Sequence, residues 1–318
     1  MKKLFLLSAL AALFFAVSCT KENMRSNGEE AVATLSVKLP EQSLTKAYGD
    51  GKLMAKNLII GVFDENGTEK FRKNYEWDVN TFEDEVEITF FIGNKYQLVF
   101  WAQYGDAYGT PETMPLDKIT LDYAVSNNEN LDAFYAYVPV FQVQQDFQMS
   151  VELKRPFAQL NFATTPGDIE EAIAAGLTNK AVVTVKNAAN TLDLFTGKTY
   201  YEDAEGNKNS KGEVITIPAT VFPKDAEGKY NVIEVDEENY EVLSMNYILP
   251  ADDGYVDGKT TVELTINVGE VTLNIPNAFM KRNYKTNVVG ELLTGEGVFK
   301  VKVNPFFDGE YDSTYPVK

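Results

Sequence analysis

One cysteine, Cys19, no histidine, and 47 aspartates and glutamates are the side chains from which any chemistry of this chain has to be assembled. A lone cysteine can serve as nucleophile, metal ligand, redox sensor, core residue or attachment point. Without histidine, Ser-His-Asp and Cys-His catalysis and every histidine-containing metal site are excluded. No glycine-rich loop of the phosphate- or dinucleotide-binding type is present. Carboxylates alone would serve a glycosidase, which needs two of them at a set spacing. Here most acids alternate with apolar residues or crowd into turns, the pattern of a solvated acidic face, so no catalytic residue, cofactor or metal ligand is assigned. "ADDGYVDGK" (251–259) and "FFDGEYDS" (306–313) lack the oxygen ligands alternating around a glycine that an EF-hand loop requires. They read as turns, with a weak structural calcium site as the alternative. Seventeen tyrosines and two tryptophans raise sugar stacking. Trp101, inside "YQLVFWAQY", holds a strand position suited to core packing. Trp77, in "YEWDVN", lies nearer a turn and is the candidate for glycan stacking.

The setting of Cys19 narrows its role. Lys2 and Lys3 precede the apolar run Leu4 to Val17, which ends at the small residue Ser18. A basic start, a short apolar core and a small residue before the cut make a secretory signal. The run is shorter than the roughly 20 apolar residues that span a bilayer. Ala16-Val17-Ser18-Cys19 resembles a bacterial lipobox, in which the thiol after the cut is alkylated by diacylglycerol, although leucine is the usual residue at the position of Ala16. Removing residues 1–18 takes Lys2 and Lys3 with it and leaves 27 basic against 47 acidic side chains, a net charge of −20. Such a surface repels phosphate backbones and anionic lipid alike, so nucleic acid is not an expected partner. Membrane attachment is then covalent, through lipid on Cys19. With no second cysteine, packing rather than disulfides has to hold the exported chain together.

The elements that must position everything else are strands. Residues 20–30, "TKENMRSNGEE", are polar and read as a tether, with residues 19–30 as a unit. Period two dominates from Ala31 onward. In "FQMSVEL", Phe147, Met149, Val151 and Leu153 alternate with Gln148, Ser150 and Glu152. "TLSVKL", "VEITF", "AVVTVKN", "GEVITIP", "EVLSMNYIL", "TTVELTINV" and "VFKVKVNPF" belong with it. Gly269-Glu270 suits a two-residue hairpin, and Asn66-Gly67 a second tight turn. In "TTPGDIEEAIAAGL", Thr165 is placed as N-cap, Pro166 as first helical residue and Gly176 as stop. This predicts one short helix near 166–176, between two strand-rich halves: an N-terminal sandwich over 31–165 and a C-terminal one over 166–318. The fold class is all-β, two tandem antiparallel β-sandwiches.

Four stretches together resemble the fimbrillin-like outer-membrane lipoproteins of the Bacteroides group. "LKRPFAQLNFAT" (Leu153 to Thr164) is similar to the motif closing the first domain, and "NIPNAFMKRNYKTNVVGELLT" (Asn274 to Thr294) to a segment near the end of the second. "FWAQYGDAYG" and "LDAFYAYV" are similar to first-domain stretches of one lipoprotein branch. The resemblance implies transthyretin-like sandwiches in a surface-exposed, lipid-anchored outer-membrane protein, acting as a pilus subunit, anchor, tip or adhesin. It implies other pilus subunits as partners through strand exchange, with a host or bacterial surface ligand or glycan. Family pilins are cut after a basic residue beyond the first strand, and the lost strand is replaced by one from the next subunit. Here that residue is Lys46, before Ala47, and cutting there would release the strand Ala31 to Leu39; Arg25 is the rival site. "GVFKVKVNPFFDGEYDSTYPVK" reads as an ordinary last strand, with a donated strand as the alternative. Lys21 and Glu22 partly match the charged tracts that direct such lipoproteins to the cell surface. The second function class carried forward is a surface glycan-binding lipoprotein for nutrient capture.

Overall fold

The computed structural model describes residues 28–39, 55–76, 83–252, 255–256, 259–295, 299–305 and 311–313. In the first half the strands are β1 (Glu30–Lys38), β2 (Asn57–Asp64), β3 (Glu69–Glu76), β4 (Glu83–Phe91), β5 (Lys95–Gln103), β6 (Lys118–Thr120), β7 (Phe134–Gln142) and β8 (Phe147–Glu152). A three-stranded sheet, β4-β1-β8, faces a four-stranded sheet, β3-β2-β5-β7. The alternation read in β1 and β8 is the pleat of the three-stranded sheet, whose inward side chains meet Leu58, Ile60, Leu98 and Phe100. β2 and β5 do not alternate, because both of their faces are covered. Leu58 and Ile60 enter this first core, while Ile59, Val99 and Trp101 enter a second one.

The second core belongs mainly to the other half. There the chain forms β9 (Ala158–Thr164), α1 (Asp168–Ala174), β10 (Lys180–Ala189), β11 (Thr191–Asp193), β12 (Thr199–Glu202), β13 (Lys208–Asn209), β14 (Glu213–Val221) and β15 (Val232–Val235). It continues through β16 (Glu238–Pro250), β17 (Tyr255–Val256), β18 (Lys259–Val268), β19 (Val271–Met280), β20 (Tyr284–Gly290), β21 (Phe299–Pro305) and β22 (Tyr311–Ser313). One sheet runs β17-β18-β10-β16-β9-β20-β21-β22, with β14, β15 and β19 branching from it. The all-β expectation with one short helix holds among the described residues. The Gly269-Glu270 hairpin joins β18 to β19, with Val268 opposite Val271 and Gly269 at φ +58. Asn66-Gly67 turns β2 into β3, with Gly67 at φ +81.

Three details depart from the sequence reading. Period two carries no strand direction, and two ladders are parallel rather than antiparallel: β1 with β8 and β9 with β20. The helix is capped by Gly167 in the left-handed region, not by Thr165, and starts at Asp168 rather than Pro166. Gly167 closes a turn in which the Asp168 amide donates to the Thr165 carbonyl at 3.1 Å, so the helix begins only after that turn, at Asp168, whose carboxylate is buried. It accepts from the Leu293 and Thr294 amides, both at 3.0 Å, and from the hydroxyls of Thr164 and Thr294. Gly176, at φ +98, ends the helix as expected. Finally β9, on the first-half side of residue 165, takes its ladder partners β16 and β20 from the second half.

The two halves are stitched by backbone as well as by packing. β6 pairs antiparallel with β11, Thr120 opposite Thr191. The buried Tyr123 hydroxyl donates to the Ala189 carbonyl at 2.6 Å and accepts from the Leu249 amide at 3.1 Å. Beside this seam Arg155 is 1% exposed. Its Nε and Nη2 donate to the two Asp132 oxygens at 2.5 and 2.7 Å, and its Nη1 to Asn283 Oδ1 at 3.0 Å. The guanidinium lies 4.7 Å from the centre of the Phe134 ring.

Lys285 is placed next to this ion pair. Burial first, and then the Arg155 charge, push its amine down to about 8, against the pull of Glu129 and Asp132. In the unfolded chain a lysine titrates near 10.4. Between those values the unfolded chain therefore binds more protons than the folded one, and stability rises with pH. Below about pH 8 both forms are protonated and the penalty is fully present. The stability difference between the protein and a Lys285→Gln variant is thus expected to be flat below pH 7.5 and to shift in favour of the protein up to pH 10. Denaturant midpoints measured across that range check it; a difference independent of pH would refute it.

Candidate functional site

Among the described residues no group of three or more acidic side chains gathers to hold a metal ion, and the Asp132, Arg155 and Lys285 grouping lies buried at the seam, so the site is sought in the architecture. β1 is the middle strand of its sheet. Along one edge it runs antiparallel to β4, from Glu30 opposite Phe91 to Lys38 opposite Glu83. Along the other it runs parallel to β8, from Ala33 opposite Phe147 to Lys38 opposite Glu152. Its ends are held as well: the Glu29 carbonyl accepts from the Ile92 amide and the Lys38 carbonyl from the Leu153 amide, both at 2.8 Å. The Val32 amide donates to Asp146 Oδ1 at 2.9 Å. Glu29, placed in the tether by its polarity, is therefore already part of the sheet's edge.

Ala31, Ala33, Leu35, Val37 and Leu39 point into the first core and are at most 3% exposed. Thr34, Ser36 and Lys38 form the outer face between Glu85 and Glu87 of β4 and Gln148, Ser150 and Glu152 of β8. Without β1, two strands about 9.6 Å apart would face each other with unpaired backbone groups and an apolar floor between them. A single replacement strand satisfies both needs.

The slot is not uniform along its length. Phe90 stands directly opposite Ala31 on β4, and Phe147 opposite Ala33 on β8. Their rings meet above β1, with centroids 6.0 Å apart and planes 29° from parallel. Phe141 of the facing sheet packs edge-on against both, at 6.0 and 5.6 Å, and Tyr96 lies 5.0 Å from Phe90. Ile88 faces Ala33 from β4, and the other end, over Leu35, Val37 and Leu39, is lined by Val86, Met149, Val151 and Leu153.

A cavity of about 580 Å³ opens beside the aromatic end, lined by Asp64, Asn66, Phe71, Phe91, Asn94 and Tyr96 among others. Phe91 is 49% exposed there. Asp64 caps its own turn through the Asn66 and Thr68 amides, at 2.9 and 3.0 Å, and pairs with Lys70 at 2.7 Å. The bond to Lys70, then that to Thr68, holds its carboxyl below the ordinary value.

Cys19, Arg25, Lys46, Ala47 and Trp77, with Lys21 and Glu22, lie outside the described residues. Trp101 is core, as its strand position indicated: it is fully buried, and its indole N–H donates to Gln103 Oε1 at 2.9 Å. Asp252, in the first Asp-Gly stretch, accepts from the Thr199 amide at 3.0 Å and pairs with Arg282. It fastens loops together; residues 253–254, 257–258 and 306–310 are outside the described residues. Among the described residues no group of three or more acidic or cysteine side chains gathers to hold a metal ion. Sequence reasoning missed the cavity and the aromatic bridge. Phe90 and Phe147 are far apart in the chain, and only the register of β1 brings them together.

A family model described as a family of unknown function, DUF6562, matches residues 25–318. No curated protein matches the sequence. Among solved structures, a candidate polysaccharide-binding protein from Bacteroides thetaiotaomicron is 11% identical, over 89% of this chain and 98% of its own, with a TM-score of 0.48. A candidate cell adhesion protein from Bacteroides uniformis is 15% identical, over 86% and 99%, with a TM-score of 0.47. The tip fimbrial protein Mfa3 from Porphyromonas gingivalis is 12% identical, over 90% and 100%, with a TM-score of 0.44. At these scores the likenesses carry no argument about individual residues.

Proposed function

The chain belongs to the family of unknown function DUF6562, and we propose that this member is a non-enzymatic, lipid-anchored protein of the outer cell surface. In this reading it is a fimbrial subunit, anchor or tip component, or an adhesin, that assembles by β-strand addition. The observation that carries the reading is the place of β1. It is the central strand of a three-stranded sheet, the first element of the chain, and 18 residues separate it from β2 in the sequence. Removing an edge strand would leave a sheet intact; removing this one leaves a slot that only another strand can close. Lipid on Cys19 and a cut at Lys46 are opposing states in this scheme. The lipidated chain with β1 in place is an anchor or a stand-alone surface protein, and a chain starting at Ala47 is an acceptor for a neighbour's strand.

The pilins of the fimbrillin-like group that the sequence resembles are cut at arginine, so the lysine at position 46 supports the anchored state. Radiolabelled palmitate is therefore expected to enter the protein and to be lost in Cys19→Ala, with the native N-terminus blocked at Cys19. Unboiled surface extracts then show monomer. An SDS-resistant ladder of chains beginning at Ala47 would move the protein to the shaft. An unlipidated monomer released from the periplasm would refute the surface-anchor reading altogether.

The cavity beside Phe91 favours a second reading, a glycan-capturing surface lipoprotein. An exposed aromatic ring flanked by Asn66 and Asn94 amides suits the apolar face and hydroxyls of a sugar. Binding of a polysaccharide on a glycan array, lost in Phe91→Ala, would support it, and an array without hits would dismiss it.

A further inference from the structure

We infer that the β1 slot sorts incoming strands by side-chain size: it accepts only a strand carrying alanine or glycine at two successive inward positions, followed by three aliphatic residues. The inference rests on the strand-addition reading and adds to it the residues that determine which strand fits.

The argument starts from the aromatic bridge. Strands β4 and β8 flank β1 at about 4.8 Å on each side, so side chains rising vertically from them would stand about 9.6 Å apart. The Phe90 and Phe147 centroids are 6.0 Å apart instead, so the two rings lean inward across β1. They do so over Ala31 and Ala33, the residues opposite them in register. Both alanines are at most 1% exposed, so no room is left above their methyl groups. Phe141 and Tyr96 close the bridge from the facing sheet and keep it from opening upward. A leucine or phenylalanine in either alanine place would need the volume the rings occupy.

From Leu35 onward the demand reverses. Leu35 stands between Val86 and Met149, Val37 stands beside Val151, and Leu39 is buried in the same core, so alanine at these three places would leave cavities in close packing. The register is fixed by the same contrast. A slip by two residues would put Leu35 under the bridge, and a slip by one would turn every side chain to the other face. The partner is thus a strand of another protein chain with the inward order small, small, large, large, large, read in the direction parallel to β8.

Two measurements test this. In the intact chain lacking only its signal, Ala33→Leu is expected to lower the unfolding midpoint by several degrees. Phe147→Ala in the same chain should recover most of that loss, whereas Val37→Leu should show no such coupling to Phe147→Ala. Equal effects of Ala33→Leu and Val37→Leu, or no recovery, would overturn the size rule. Secondly, a full chain with a specific protease site replacing residues 41–46 is cut while folded and offered fluorescent 28–39 peptides. The native-sequence peptide should load, and the peptide with leucine in place of Ala33 should load at least tenfold less. Equal loading of both would overturn the size rule while strand addition stands. If neither loads, strand addition fails, and the coupling measurement alone decides whether the bridge restricts size.

Discussion

Asp132→Ala is expected to lower the unfolding free energy by about 3–5 kcal/mol, because it takes from the buried Arg155 guanidinium the carboxylate that both Nε and Nη2 donate to. Arg155 is 1% exposed, so water cannot take over the two bonds at 2.5 and 2.7 Å. The Asn283 amide oxygen and the Phe134 face, which also touch it, carry no full negative charge to replace the lost one. The nearby Lys285 amine, already pushed down by burial and then by the Arg155 charge, would lose one of the acids that oppose that push. The loss should be mostly repaired in the double variant Asp132→Ala, Arg155→Met. Removing both charges ends the desolvation penalty, and the longer side chain keeps some of the packing. Urea denaturation of the single and double variants checks it. A double variant no more stable than Asp132→Ala would mean that Arg155 acts through packing alone.

That node also explains what the sequence could and could not show. Asp132 lies in "LDAFYAYV", Arg155 in "LKRPFAQLNFAT" and Asn283 in "NIPNAFMKRNYKTNVVGELLT". Three stretches that resemblance had picked out separately meet in one buried network where the two halves join. Their meeting gives these stretches a structural part, holding the halves together. Nothing in their spacing shows this, since pairing an acid with a base across the chain is a matter of tertiary geometry. Local facts were legible: the alternation of β1 and β8, the Gly269 hairpin, the Gly176 stop. Each depends on a few adjacent residues. Strand neighbours were not. Period two gives β1 a buried face but does not make it the middle strand, nor does it set it parallel to β8. β5 was read as a strand from "YQLVFWAQY", whereas β2 was not picked out at all: both have unbroken apolar runs because both of their faces are covered, and that hides the alternation by which a half-buried strand is recognised. The residues proposed for attachment and processing rest on local sequence motifs and lie outside the described residues.

Leu35→Asp tests that link and should be the most damaging single change in the first half, at least about 4 kcal/mol. Leu35 is fully buried at the centre of β1, between Val86 and Met149 in register, with no donor in its apolar surroundings to receive a carboxylate. An acid there either stays charged without solvation or is protonated at a cost set by the same burial. The damage is not expected to stop at the first core. Leu58 and Ile60 of β2 and Leu98 and Phe100 of β5 line that core, while Ile59, Val99 and Trp101 on the same strands line the other. If the three-stranded sheet detaches, β2 and β5 lose one covered face and with it much of what keeps them rigid beneath the second half. Trp101 reports this directly, since it sits on the far face and is fully buried. In a Trp77→Phe background, Leu35→Asp is expected to shift Trp101 emission to the red and to lower the protease resistance of both halves together. Blue emission retained in a chain whose first core is lost would show that the second core stands alone, and that the shared strands pass no stability between the halves.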